Sequence, residues 1–129
     1  MKKTTLKTLI ILTLIIIWGQ SFLPPYASEQ ESGFIVDILE KIVGSGNINE
    51  ELIRKTAHFL EYLILALELT AFFGDWKLLY GLGTACIDET IQIFSGRGSS
   101  LVDVWIDFAG FIAGTLIMKL IIKKQRTSD

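Results

Sequence analysis

Residues 56–73 read TAHFLEYLILALELTAFF, and this run decides the architecture. At 1.5 Å per residue a helix of this length crosses nearly all of a hydrocarbon core about 30 Å thick. The run is apolar enough to partition there, yet it carries His58, Glu61 and Glu68. Ionisable groups inside such a helix require neighbours that shield them from lipid, so the run implies a bundle.

Three further stretches supply the neighbours: residues 6–23, broken only by Lys7, Gln20 and Ser21, residues 76–94 and residues 101–122. The chain has 129 residues, a mean hydropathy of +0.49 and 50% hydrophobic residues, which moves it away from soluble classes. The fold expected is all-α, an integral membrane bundle of four transmembrane helices forming one domain over residues 1–129. The net charge of -2 gives no basic footprint for nucleic acid. Cys86 is the only cysteine, which excludes an internal disulfide and a multi-thiolate metal site; a small buried core residue is expected there.

Lys2, Lys3 and Lys7 before an apolar run also describe a secretory signal peptide. The run is long enough to span, and Pro24-Pro25-Tyr26-Ala27 lacks the small residue needed three positions before a cut after alanine. Span 1 is therefore read as a retained anchor. In the polar connection that follows, Phe34, Ile35, Ile38, Leu39 and Ile42 share one helical face, with Asp37, Glu40 and Lys41 on the other. Ten residues cannot span, so residues 34–43 are read as a short interfacial amphipathic helix, or equally as one packed on the other spans. Gly44-Ser45-Gly46 ends it, and Asn47 with Glu50, or Asn49, caps the next helix. Short links at Gly74-Asp75 and at residues 95–100 make spans 2, 3 and 4 antiparallel neighbours.

Flanking charge orients the bundle. Eight basic residues (Lys2, Lys3, Lys7, Lys77, Lys119, Lys123, Lys124, Arg126) lie with the termini and the 2–3 turn, against four opposite (Lys41, Arg54, Lys55, Arg97). Both termini are thereby expected in the cytoplasm. Trp18, Trp76 and Trp105 lie near span ends and read as interface anchors.

Six acidic residues fall within the nominal spans: Glu61, Glu68, Asp88, Glu89, Asp103 and Asp107. Each charged group at a helix centre costs about 2.5–3.5 kcal/mol on insertion scales. Helical spacing puts Arg54, His58, Glu61, Leu65 and Glu68 on one face of span 2, Asp88 and Gln92 on one face of span 3, and Asp103 and Asp107 on one face of span 4. In the orientation above, Arg54, Lys55, His58, Glu61, Asp88, Glu89, Gln92, Arg97, Asp103 and Asp107 converge on one layer near the outer surface. Arg54, Lys55 and Arg97 could serve only to neutralise carboxylates, but intramembrane ionisable groups are functional by default, and this favours a site. Glu68 lies deeper and suits a local pairing. Gly110 and Gly114 form a Gly-x-x-x-Gly step that admits a closely packed helix, and oligomerisation is a second use for that face.

Three blocks together resemble the VanZ-like membrane protein family: Arg54-Lys-x-x-His58-Phe-x-Glu61-Tyr62, Asp88-Glu89-x-x-Gln92-x-Phe94-x-Gly-Arg97, and Asp103-x-x-x-Asp107-x-x-Gly110-x-x-x-Gly114. The resemblance is close over residues 50–118. Members often carry Pro where this chain has Ser95, and Asn or Asp at the position of Asp107. What the resemblance implies is a bacterial cell membrane protein with a cell-envelope role, linked to susceptibility to the lipoglycopeptide teicoplanin.

Three accounts of function follow. The first is a non-enzymatic protein in the lipid bilayer that binds an envelope lipid or lipoglycopeptide, with Arg54, Lys55 and Arg97 attracting phosphate or carboxylate. The second is a membrane enzyme in which carboxylates near His58 act as acid and base or hold a divalent cation. It is disfavoured by the lack of a nucleophile, since Cys86 has no identified base and Ser99 and Ser100 are ordinary loop residues. No HExxH, GxSxG or phosphate-loop motif is present, and no cofactor or metal is assigned. The third is a small transporter or accessory subunit, though no inverted repeat is evident.

Overall fold

A computed structural model describes the backbone of residues 2–22, 25–44, 50–74, 78–94 and 101–128, and the side chains of these except 25–32, 43, 50–51 and 78–79. The expected caps Asn47 and Asn49, the breakers Ser45 and Gly46, the turn residue Asp75, Trp76 and the link 95–100 with Arg97 lie outside the described residues. The described chain is all-α: α1 Lys3–Ser21, α2 Pro25–Val43, α3 Glu50–Phe73, α4 Leu78–Phe94 and α5 Leu101–Ser128. Two glycines close helices in the left-handed conformation, Gly44 at φ 82° and Gly74 at φ 72°. Their N–H groups donate to Glu40 O and Thr70 O, both at 2.7 Å, satisfying carbonyls the helices would leave open.

Three helices are long and apolar enough to cross a membrane: Lys3–Ser21, Leu52–Phe73 and Leu101–Ser128. The fourth expected span is α4, whose described extent is 17 residues. The segment expected as a ten-residue helix from Phe34 is instead part of a 19-residue helix opening at Pro25, a residue type favoured in the first turn of a helix. Its apolar face is not packed into the bundle, since Phe34, Ile35, Ile38 and Ile42 are exposed; Val36 is buried. α5 continues six residues beyond the expected end at Ile122, carrying Lys123, Lys124 and Arg126 in an exposed helical tail.

α3 is the central element, packed most extensively on α5 and also on α1 and α2, while α4 packs on α5 and α1. The core is Ile17, Tyr62, Leu65, Ala66, Leu69, Ala85 and Phe111, with Ile10, Leu14, Trp18 and Val104 against it. Glycines set its spacing. A Cβ at Gly110 would stand 2.3 Å from Phe59 O, one at Gly114 2.2 Å from Leu63 O, and one at Gly81 2.3 Å from Phe111 Cγ. The small-residue step of α5 therefore meets the α3 backbone within the chain. Interfaces of this kind are built on close van der Waals packing, which side chains at these positions would prevent.

Outward faces are apolar. Ile11, Leu12, Ile15 and Ile16 on α1, Leu60 and Ile64 on α3, and Leu116, Ile117, Leu120 and Ile121 on α5 are all exposed. Apolar surface on this scale suits a helix bathed in lipid, where backbone groups are satisfied internally.

Two expectations change. Cys86 is exposed, not a core residue, because the phase of α4 that buries Ala85, Asp88 and Glu89 turns it outward. Of the tryptophans near span ends, Trp18 packs against the core and Trp105 is 63% exposed. Span 1 is more than an anchor: Ile17 is fully buried in the core, and Thr13 Oγ1 donates to Glu68 Oε1 at 3.0 Å.

Candidate functional site at one end of the bundle

The polar residues of four helices meet where α1 and α4 end and α3 and α5 begin. His58 and Glu61 lie one turn apart in the N-terminal half of α3; Asp103 and Asp107 lie one turn apart at the start of α5. Asp88, Glu89 and Gln92 occupy the last two turns of α4, and Ser21 is the last residue of α1. The close approach of α5 to Phe59 O at Gly110 has a local consequence. It brings Asp107, one turn before Gly110, against His58, the residue before Phe59.

His58 Nδ1 is the centre of the arrangement. It stands 3.7 Å from Glu61 Oε2, 3.9 Å from Asp88 Oδ2 and 3.9 Å from Asp107 Oδ1. Asp88 is fully buried and Asp107 is 2% exposed. One ligand atom from each of His58, Asp88 and Asp107 falls within 4.8 Å of the others. Ser21 Oγ donates to Asp88 Oδ1, while the other oxygen, Oδ2, faces the histidine. Glu89 and Gln92 are buried in the same layer, and Asp88, Glu89, Asp103 and Glu61 all act electrostatically on Asp107.

Tyr62 completes the surroundings from within α3. Its side chain is fully buried and its hydroxyl makes no hydrogen bond among the described residues. The phenol lies within electrostatic reach of Asp88, Asp107, Glu61 and Glu89. Arg54 and Lys55 lie about one turn of α3 before His58 and are partly buried, as is Asp103.

Of the residues expected in one layer, the structure therefore brings His58, Glu61, Asp88 and Asp107 into one cluster and buries Glu89 and Gln92 beside it. Arg54, Lys55 and Asp103 stand at its margin, and Arg97 lies outside the described residues. Glu68 is apart, two turns deeper on α3, bonded to Thr13. Two participants were not legible as site residues. Ser21 was visible as a polar break in an apolar run, and Tyr62 only as the last residue of the block Arg54–Tyr62.

Chemically, a nitrogen and carboxylate oxygens from three helices, held in a buried layer, can bind a cation or exchange a proton. Two ionised carboxylates about 4 Å apart repel by roughly 4 kcal/mol at an effective dielectric near 20, so positive charge among them is strongly favoured.

The VanZ/LLP1 family model matches residues 7–122, and the chain belongs to that family. With three helices long and apolar enough to cross a bilayer, it is a VanZ-like membrane protein. No curated protein and no solved structure matches it.

Proposed function

We propose that this protein crosses the bacterial cell membrane four times, with both termini in the cytoplasm, and binds the anionic head group of an envelope lipid or lipoglycopeptide at the outer leaflet. The observation that carries this reading is the position of Arg54 and Lys55, partly buried on α3 immediately above the His58 cluster. Guanidinium and ammonium groups there attract a phosphate or carboxylate. By its place in the sequence, the same reading assigns Arg97 a part in this contact.

Four crossings are supported by the packing of α4. It runs between α3 and α5, both long enough to cross, packs on α5, and rises about 26 Å over its described residues. The excess of basic residues beside the termini supports the orientation.

The test is a fluorescence titration of the purified chain with short-chain phosphatidylglycerol and phosphatidylcholine. Preference for the anionic lipid is expected, with at least a ten-fold loss in the Arg54→Ala/Arg97→Ala double variant at normal abundance. Equal binding of both lipids by the wild-type chain, or an unchanged preference in the variant, rejects the reading. Teicoplanin susceptibility of cells expressing the same pair connects binding to phenotype.

A second reading, a membrane enzyme acting on an envelope phosphoryl or acyl group, is favoured by the imidazole beside Asp88 and Asp107. Water is the nucleophile this site could activate, because the Ser21 hydroxyl donates to Asp88. Phosphate or fatty acid release from envelope lipid, lost in His58→Gln, is its expected signature.

A further inference from the structure

We infer that His58, Asp88 and Asp107 together bind one first-row divalent metal ion, of the Mn²⁺ or Zn²⁺ type, at the meeting point of α3, α4 and α5. The inference goes beyond the head-group reading and does not depend on it.

Distance is the first ground. His58 Nδ1 lies 3.9 Å from both Asp88 Oδ2 and Asp107 Oδ1, too long for direct hydrogen bonds. Donor atoms that share an ion at about 2.0–2.2 Å stand about 3–4 Å from one another, so these separations suit a common ion. The donors reach the point from three different helices, and all three ligand atoms lie within 4.8 Å.

Burial is the second. Asp107 is 2% exposed, and its Oδ1, directed at His58, makes no hydrogen bond among the described residues. A buried carboxylate oxygen without a donor costs several kcal/mol, roughly, unless a cation or proton compensates it. The Tyr62 hydroxyl, on the α3 turn that follows His58, is fully buried and likewise makes no hydrogen bond among the described residues. Its O–H is a donor that could serve a water on such an ion.

Outer-shell support is the third. The Ser21 hydroxyl fixes Asp88 through Oδ1, which directs Oδ2 toward the histidine. Metal-ligating carboxylates are held by such partners. The donor set of one imidazole and two carboxylates suits Mn²⁺ or Zn²⁺ better than Ca²⁺, which takes six or more oxygens, or Mg²⁺, which keeps its waters. Glu61, with Oε2 3.7 Å from His58 Nδ1, stands ready as a further oxygen donor.

The experiment uses the full chain purified in detergent with an affinity tag free of histidine, stripped with chelator and titrated with Mn²⁺ under electron paramagnetic resonance. One equivalent of Mn²⁺ is expected to bind and to be displaced by Zn²⁺. His58 is the only histidine in the chain, so pulsed measurements must show imidazole nitrogen coupling to the bound Mn²⁺. Asp107→Asn is expected to weaken binding at least ten-fold with unchanged helical circular dichroism and elution. Glu40→Gln on α2 is expected to bind as the wild-type chain does. No binding of Mn²⁺ or Zn²⁺ by the stripped wild-type chain overturns the inference. So does bound Mn²⁺ without imidazole coupling, or Asp107→Asn binding like wild type. Should Asp107→Asn fail to fold, the wild-type coupling decides alone.

Discussion

Ser21 Oγ donates a hydrogen bond to Asp88 Oδ1, joining the last residue of α1 to α4 across 67 positions of sequence. Ser21 Oγ also lies 3.2 Å from Ile17 O, an alternative acceptor for its one proton, and the residue is fully buried. The contact makes the first helix a wall of the polar cluster and holds a carboxylate that faces His58. Its loss is felt in both packing and site geometry.

Ser21→Ala leaves a buried carboxylate without one of its donors. A destabilisation of about 1–3 kcal/mol is expected, as for removal of a hydrogen bond to a charged or buried group. Thermal unfolding in detergent measures it. If the inferred ion is bound, the same variant lowers Mn²⁺ affinity, since outer-shell losses typically cost about 10–100-fold.

Gly110→Ala and Gly114→Ala drive a methyl group into the α3 backbone at Phe59 O and Leu63 O. Overpacking of this kind costs about 1–3 kcal/mol or more, and here it also moves Asp107 away from His58. Lower melting temperature and reduced membrane abundance are expected for both. Gly83→Ala is the internal control, because nothing lies within 4 Å of its added Cβ. Equal stability of Gly110→Ala and Gly83→Ala would refute the tight α3–α5 contact.

Thr13→Val removes the bond from α1 to Glu68 while keeping the side chain's shape. Interhelical hydrogen bonds in membranes average about 0.6 kcal/mol, so a loss below about 2 kcal/mol is expected. Glu68→Gln keeps an acceptor for Thr13 and is expected to match wild-type abundance, whereas Glu68→Leu is not. Thermal denaturation of the three variants side by side separates these outcomes.

Impermeant thiol labelling of intact cells tests the orientation. The exposed native cysteine is first removed with Cys86→Ser, and single cysteines are introduced with Gly98→Cys or Asp75→Cys. Labelling at position 98 and protection at position 75 is expected. The reverse pattern inverts the bundle and moves the polar layer to the cytoplasmic side.

Periodicity made the main helices visible, because lipid demands long apolar runs and three of the four runs here end at glycine, proline or charge, the other at Ser95-Gly96. The convergence of polar groups was also legible: His58 and Glu61, Asp88 and Gln92, and Asp103 and Asp107 each repeat at helical spacing toward one end of their helices. The length of α2 was not. Residues 25–33 are too polar to show an apolar stripe, so only the half beginning at Phe34 announced itself. Cys86 was misread for a related reason: a hydrophobic residue in a membrane helix faces lipid as readily as it faces the core, so polarity does not report burial there.

The sequence by itself determined that this chain is helical, apolar enough for a membrane, and unusual in the acids its spans carry. Apolar length and polar spacing are local properties, and one strand of text contains them. Only the tertiary structure decided that α1 contributes Ser21 and Thr13, that Tyr62 is enclosed beside the carboxylates, and that His58 stands within 4 Å of oxygens from Glu61, Asp88 and Asp107. Those facts depend on helix rotation and on how closely two backbones approach at Gly110 and Gly114. Both are set by packing among elements far apart in the chain, which no single helix encodes.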